Sequence, residues 1–383
     1  MRFKRLLALL CCLVFTAVFS EPAWSQQRTQ APVNISTNST QTDPAAEASV
    51  PKSLSSIHIQ SSLVETPVTV RNGAGDFIQN LSKNDFKVLD NGAPQRIVKF
   101  GQATQPVALV ILVQTNQAVA PLLDQVRPLG PLFSNLLLGK KGEAAVVCFD
   151  TKVRVMQSFA ADPAMLGQTL QHITDEGTRA RLNDALARAI LMLSSRPPAE
   201  RRIIVAFSEG LDRGSETTKE EIIRAATGAD VAIYGLQFKP AAVLLNNPEP
   251  SPQPDVLDDN LARPGRPGAP NTPGTLQQYY SMPNMSALPL ISGIGNMIAS
   301  AGGNNLLKLY AEFTGGTVFS HWKSNQLQKQ LTQVALEVNS QYMLAYVPST
   351  LDEAGFHRVQ VHVTQPGLKV KARAGYFYKP KSK

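Results

Sequence analysis

The stretch Pro106–Ala118, PVALVILVQTNQA, decides the fold. Its unbroken apolar run, Val107–Val113, ends in a short polar turn. The run is short for a helix and rich in β-branched residues, so it reads as a strand. It lacks any apolar–polar alternation, which implies that both of its faces are covered. Three further runs have the same character: Ala144–Phe149, Ile203–Phe207 and Val231–Leu236. Helical patterns at Leu122–Leu138, Pro163–Ile173, Leu182–Ser194 and Lys219–Thr227 separate them. Such alternation predicts an α/β fold with a doubly wound, mostly parallel sheet of the Rossmann type. Met156–Phe159 adds an edge strand, and Pro128 and Pro131 are expected to kink or split the first helix.

Working outward, Leu306–Thr314 reads as a helix stopped by Gly315-Gly316, followed by a strand at Thr317–Ser320. Asn325–Asn339 is an amphipathic helix with Leu327, Leu331, Val334 and Val338 on one face. The chain on either side of this domain is β. Upstream, Ile57–Phe100 contains Ile57, Ile59, Val64, Val68 and Val70, with turn signals at Asn72-Gly73 and Asn91-Gly92. Phe77–Gln79, Phe86–Leu89 and Ile97–Phe100 read as short strands there, and Leu81–Asp85 as one helical turn. Downstream, Tyr342–Tyr346, His357–Thr364 and Leu368–Tyr376 are strands, with Pro366-Gly367 turning between the last two. Neither flank has enough strands or apolar area to stand alone. Together they are expected to form one small all-β unit. Val359, Val361 and Val363 should face its core, with Arg358, Gln360 and His362 outward.

At 383 residues the chain has room for this arrangement. Residues 1–25 read as a secretory signal peptide: Arg2, Lys4 and Arg5, then the apolar run Leu6–Phe19, then Ala23-Trp24-Ser25 as a cleavage site. Residues 26–54 are polar and Pro-containing and read as a disordered spacer. The N-terminal β segment is 55–103, the sheet domain 104–339, and the C-terminal β segment 340–379. Within the sheet domain, 239–289 is a Pro-rich insertion of disordered composition. No other segment has the composition of a membrane span. The expected protein is therefore exported, periplasmic or extracellular. Signal removal leaves Cys148 as the one cysteine, which excludes an intramolecular disulfide and suits a buried small hydrophobe.

Net charge is +8, and it falls to +6 once the leader, with three basic residues and one acidic, is gone. A positive surface favours anionic envelope material as a partner. Export and the absence of any nucleic-acid module argue against nucleic acid. Arg358, Lys369, Lys371, Arg373, Lys379, Lys381 and Lys383 follow Glu353 with no acid among them. Lys369, Lys371 and Arg373 alternate, so they should share one strand face, either solvated or in contact with an anionic partner.

Enzyme signatures are missing. The histidines are His58, His172, His321, His357 and His362, and none stands in a nucleophile–base pattern. There is no phosphate loop or dinucleotide fingerprint, and Asp175 with Glu176 reads as a solvated turn. The sequence therefore predicts a protein that is not an enzyme. In a parallel sheet, ligand groups gather beyond the C-terminal strand ends, near the topological switch point. Three loops take that position: Gln114–Ala118, Thr178–Asp184 and Ser208–Asp212.

Longer motifs add to this. TVRNGAGDFIQNLSKNDFKVLDNGAPQRIVKF at Thr69–Phe100, YAEFTGGTVF at Tyr310–Phe319, SQYMLAYVPS at Ser340–Ser349 and FHRVQVHVTQPGLKVKARAGYFY at Phe356–Tyr378 resemble the von Willebrand factor type A domain proteins. The likeness is to the VWFA-related acidobacterial domain family in particular. The resemblance implies a von Willebrand A-like domain with a metal-ion-dependent adhesion site of three loops. Carried over by residue, the first loop's Asp-x-Ser-x-Ser falls on Gln114, Asn116 and Ala118. The second loop's threonine, four residues before Asp184, falls on Ala180, with Thr178 two residues out of register. The third loop reads Ser208-Glu209-Gly210, with Asp212 beyond. The site is thus degenerate. A hard cation wants about six oxygens, usually with carboxylates among them, and only Glu209 keeps one of the family's carboxylate positions. No cofactor is expected, with Mg²⁺ bound through Glu209, Asp212 and amide oxygens as the alternative. The expected function is non-enzymatic protein binding or scaffolding. Thr115, Thr178, Asp184, Ser208, Asp212 and Arg213 are candidates for the contact face. The rival readings are a cation-dependent adhesin and a structural envelope component using the basic β face.

Overall fold

The computed structural model describes residues 63–238, 305–320, 326–349 and 355–378. The signal peptide, the spacer, the insertion 239–289, His58, His321 and the terminal Lys379, Lys381 and Lys383 lie outside the described residues. The strands in chain order are β1 (Val64–Arg71), β2 (Phe86–Asp90), β3 (Ala93–Gln95), β4 (Ile97–Gln102), β5 (Val107–Gln114), β6 (Glu143–Phe149) and β7 (Val153–Ala160). They continue with β8 (Arg201–Ser208), β9 (Val231–Gln237), β10 (Val318–Ser320), β11 (Tyr342–Tyr346), β12 (Gly355–Val363), β13 (Lys369–Ala372) and β14 (Gly375–Tyr378). The α-helices are α1 (Ala120–Val126), α2 (Gly130–Phe133), α3 (Pro163–Gln171), α4 (Leu182–Ser194), α5 (Lys219–Gly228), α6 (Leu306–Thr314) and α7 (Leu327–Asn339).

Six strands form the central sheet in the order β10-β9-β8-β5-β6-β7. All neighbours are parallel except β7, which pairs antiparallel with β6. This is the doubly wound, mostly parallel sheet expected. Every residue of β5 is buried. Ala108, Val110 and Leu112 join one core with α4, α5 and α6. Leu109, Ile111 and Val113 join the other with α1, α3 and α7. The continuous apolar run follows from this two-sided burial, worth roughly 1.5–3 kcal/mol for each fully buried large aliphatic side chain.

The first helical stretch is split, as its prolines required. Arg127–Leu129 is a 3-10 turn carrying Pro128, α2 carries Pro131 next to its start, and Ser134–Leu138 is a π turn. At the end of α6, Gly315 is left-handed at φ 81°. A Cβ on its neighbour Gly316 would lie 1.9 Å from the Ile233 carbonyl oxygen, so the pair both stops the helix and lets the chain cross β9.

The flanking segments form two four-stranded sheets, β13-β1-β11-β4 and β14-β12-β2-β3. Each interleaves strands from both ends of the chain. Val64, Val68, Val70, Phe86, Val88, Leu344, Tyr346 and Val359 make their common core. Val361 and Val363 pack against it, and Arg358, Gln360 and His362 are exposed. At one end lies Asp90, fully buried. It accepts hydrogen bonds from Tyr346 Oη (3.0 Å) and Tyr376 Oη (2.7 Å) and pairs with His357 Nδ1 (2.9 Å). Burial pushes its pKa up, but the His357 and tyrosine hydrogen bonds outweigh burial and hold the carboxyl below its ordinary value.

Three expectations are corrected. Leu368–Tyr376 is not one strand: it breaks after Ala372, and β13 and β14 lie in different sheets. Phe77–Gln79 makes a single bridge, Arg71 with Phe77, and no strand. The alternating basic residues do not form an open face. Lys371 pairs with Glu337 at 3.1 Å, and Arg373 is buried against Asp230. Lys371 is thus paired with an acid and Arg373 is turned into the protein, so the three residues do not make one open basic stripe on the strand.

Candidate functional site

Chain order places the switch point between β5 and β8. From β5 the chain turns one way to β6 and β7, then returns to lay β8 on the other side of β5. The loops leaving the C-terminal ends of β5 and β8 therefore diverge, opening a crevice between them. Gln114 ends β5 and Ser208 ends β8, so the first and third loops meet there.

The crevice is closed by side chains. Gln114 is fully buried, and Asn116, Ser208 and Glu209 are buried beside it. Gln114 Oε1 accepts from Ser208 Oγ at 2.8 Å and from the Glu209 backbone N–H at 3.1 Å. Gln114 Nε2 donates to Asn116 Oδ1 at 3.0 Å and to Glu209 Oε1 at 3.1 Å. The backbone N–H of Glu209 can only donate, so it fixes which end of the amide is oxygen. The NH₂ group is thereby turned toward the Glu209 carboxylate. Ser208 Oγ also accepts from the Gly210 N–H at 3.0 Å. Gly210 has φ 81°, and a Cβ there would meet Asn305 Oδ1 at 2.8 Å, so the third loop needs glycine at this corner. Gln237, at the end of β9, donates to the Glu209 carbonyl at 2.8 Å and accepts from Asn305 Nδ2 at 2.8 Å.

The second loop is held by a separate set of bonds. Ala180 is fully buried, and its carbonyl accepts from the Arg213 N–H at 2.7 Å. Asp184 Oδ1 accepts from the backbone N–H groups of Glu216 (3.1 Å) and Thr217 (3.0 Å) and from Thr217 Oγ1 (2.8 Å), while its Oδ2 pairs with Arg181 at 2.7 Å. Asp212 Oδ1 accepts from the Asn183 N–H at 2.9 Å and from Ser215 Oγ at 2.6 Å. Arg213 reaches Glu209 Oε1 at 3.4 Å.

These positions correct part of the expected contact face. Thr115, Asp184 and Ser208 are buried and bonded inward, so none of them can meet a partner. Thr178, Gln117 and Ala118 are exposed, and Asp212 and Arg213 are partly exposed. A group missed in the sequence stands behind them. Buried Asp150 accepts from Thr115 Oγ1 at 2.9 Å and pairs with Arg154 at 2.7 Å, and Arg154 also pairs with Glu176 at 2.8 Å. An aspartate directly after a wholly apolar strand, four residues before an arginine, was the available signal. Cys148 is buried next to this group, and burial raises its thiol pKa to about 12, which keeps it an inert core residue.

The donor set can be tested against a divalent cation. The crevice holds one carboxylate, Glu209, and its Oε1 already faces an amide NH₂ and the Arg213 guanidinium. Glu209 Oε2 and Asn116 Nδ2 are buried without a partner, one an acceptor and one a donor. Ala118 and Ala180 carry no oxygen on their side chains. Among the described residues no group of three or more His, Cys, Asp or Glu side chains is placed to hold a metal. One carboxylate facing two N–H donors does not match a hard cation that requires an oxygen cage.

The sequence matches no family model and no curated protein. Among solved structures, the chain is similar to the VWA domain of SpRpn10, with 14% identity over 59% of this chain and 93% of that one, at a TM-score of 0.33. It is similar to a von Willebrand factor type A structure from Catenulispora acidiphila, with 10% identity over 79% and 76% of the two chains, at a TM-score of 0.39. It is also similar to BatB from Bacteroides thetaiotaomicron, with 15% identity over 61% and 98%, at a TM-score of 0.36. The fold assignment rests on the strand order and register described above.

Proposed function

We propose that this chain is an exported, non-enzymatic protein-binding or scaffolding protein whose adhesion-type site has exchanged its cation for an amide. The observation that carries this reading is the Gln114 carboxamide. It bridges Ser208, the Glu209 backbone and the Glu209 carboxylate, so hydrogen bonds tie the first and third loops together. A crevice tied in this way presents one surface to a partner. Gln117, Ala118 and Thr178 at its rim, with Asp212 and Arg213, are the groups a partner would touch. Export is supported by the basic and apolar residues of 1–25. Among the described residues, no helix is long and apolar enough to cross a membrane.

The test is crosslinked capture of partners by the mature protein, in Mg²⁺ or in EDTA, from the envelope of the native host. The same partners should be captured in both conditions and lost from Ala118→Trp, a substitution at an exposed rim position. Capture that requires Mg²⁺ would instead establish the cation-dependent adhesin.

A further inference from the structure

At the opposite end of the sheet, a cavity of about 210 Å³ lies between the N-terminal ends of β8 and β9 and the outer face of the β1–β11 pair. Arg201, Arg202 and Arg373 line it, and Pro67, Phe313 and Met343 supply apolar wall. The acids in its lining already have partners. Glu65 pairs with Lys99 at 3.2 Å, Glu200 with Arg196 at 2.8 Å, and Asp230 with Arg373. Arg201 and Arg202 are held by neutral oxygens. Arg201 bonds the Val338 carbonyl (3.0 Å) and the Gln341 side chain, and Arg202 bonds the carbonyls of Ala229 and Arg196, both at 2.8 Å. Guanidinium groups stay charged at any ordinary pH. The cavity therefore carries more positive charge than its walls balance.

Arg373 is the decisive residue. It is 4% exposed, and only its Nη1 has a charged partner, Asp230. Its Nε and Nη2 are buried and have no hydrogen-bond partner. Those two N–H groups make up one edge of the guanidinium plane, and that edge receives a carboxylate through two parallel hydrogen bonds. Arg202 Nε is likewise buried and unpartnered. Buried donors of this kind are normally satisfied, and charged ones are the most costly to leave open. Asp230, which anchors the far side of Arg373, sits in the left-handed region at φ 53°, a conformation rare outside glycine.

We propose that this cavity is a binding site for a small organic carboxylate, with its head group held at Arg373 beside Arg201 and Arg202 and its apolar body against Phe313 and Met343. Its place at the foot of the sheet makes it independent of the crevice between the first and third loops.

Calorimetric titration of the whole protein with acetate, benzoate and succinate tests this, with benzamide as the neutral match for benzoate and sodium chloride as the ionic-strength control. At least one carboxylate should bind saturably at one site per chain, and benzamide should bind roughly tenfold or more weakly than benzoate. Arg373→Lys keeps the charge but not the fork, and should weaken binding by roughly tenfold to a hundredfold. Ala199→Trp, at an exposed position of the cavity mouth, should abolish binding without disturbing the Arg373–Asp230 pair. Absence of saturable binding by all three carboxylates would overturn the proposal. So would binding that survives both substitutions.

Discussion

Glu209 meets Gln114 twice: its backbone N–H donates to Gln114 Oε1, and its carboxylate accepts from Gln114 Nε2, each at 3.1 Å. One residue thus reads both ends of one amide. The first contact orients the amide, and the second makes glutamine fit better than any acid at this position. An aspartate or glutamate would place oxygen against oxygen where the NH₂ group now lies.

Gln114→Glu should therefore lower stability by about 2–4 kcal/mol at neutral pH, because two buried carboxylates would face each other. Their mutual repulsion raises the folded-state pKa of one of them. The loss should shrink as pH falls and that carboxyl takes a proton. Urea unfolding at neutral and mildly acidic pH measures this. A variant as stable as the native protein at neutral pH would show that the Glu209–Gln114 contact is absent in solution.

The buried Asp90 predicts the opposite pH trend. Its carboxyl is held below the ordinary value of 3.8, burial notwithstanding, by His357, Tyr376 and Tyr346. The native state thus binds this proton less readily than the unfolded chain. The stabilisation is fully present above about pH 4, and it is lost as pH falls through the lower folded-state value. Asp90→Asn should cost about 2–4 kcal/mol at neutral pH and should flatten stability over the acid range. A variant whose acid unfolding midpoint matches the native protein would remove Asp90 from this role.

Much of this architecture was legible in the sequence, for identifiable reasons. The strand β5 and the helix α4 were readable because burial on two faces leaves an uninterrupted apolar run, and burial on one leaves a helical period. The break between β13 and β14 was not. Lys369, Lys371 and Arg373 keep alternating straight through it, and only the distant Asp230 marks Arg373 as buried at a crossing. In the crevice, the amides at 114 and 116 were visible as departures from an acid-and-hydroxyl pattern. Their orientation was not, since it depends on the backbone N–H of a residue 95 positions away. Asp150 escaped notice because an acid after a strand reads as an ordinary turn until Thr115 and Arg154 are brought to it.

The interleaved sheets make the two chain ends depend on each other. β1 pairs with β11 and β13, and β2 pairs with β12. Truncation after Asn339 removes every one of those partners and uncovers the apolar faces of Val64, Val68, Phe86 and Val88. Exposed strand edges of this kind drive association. The truncated chain should aggregate or be degraded on expression. A soluble product with β1 and β2 protected from amide hydrogen exchange would contradict the shared unit.

The most direct test of the amide-for-cation exchange is calorimetric titration of the native protein with Mg²⁺ and with Mn²⁺. The account predicts no saturable heat at millimolar metal, and a melting temperature unchanged by EDTA. A cation bound at a hundredfold excess over its Kd would add about 2.7 kcal/mol of stability, well within detection. Saturable binding of either metal at one site per chain, lost in Glu209→Gln, would contradict it.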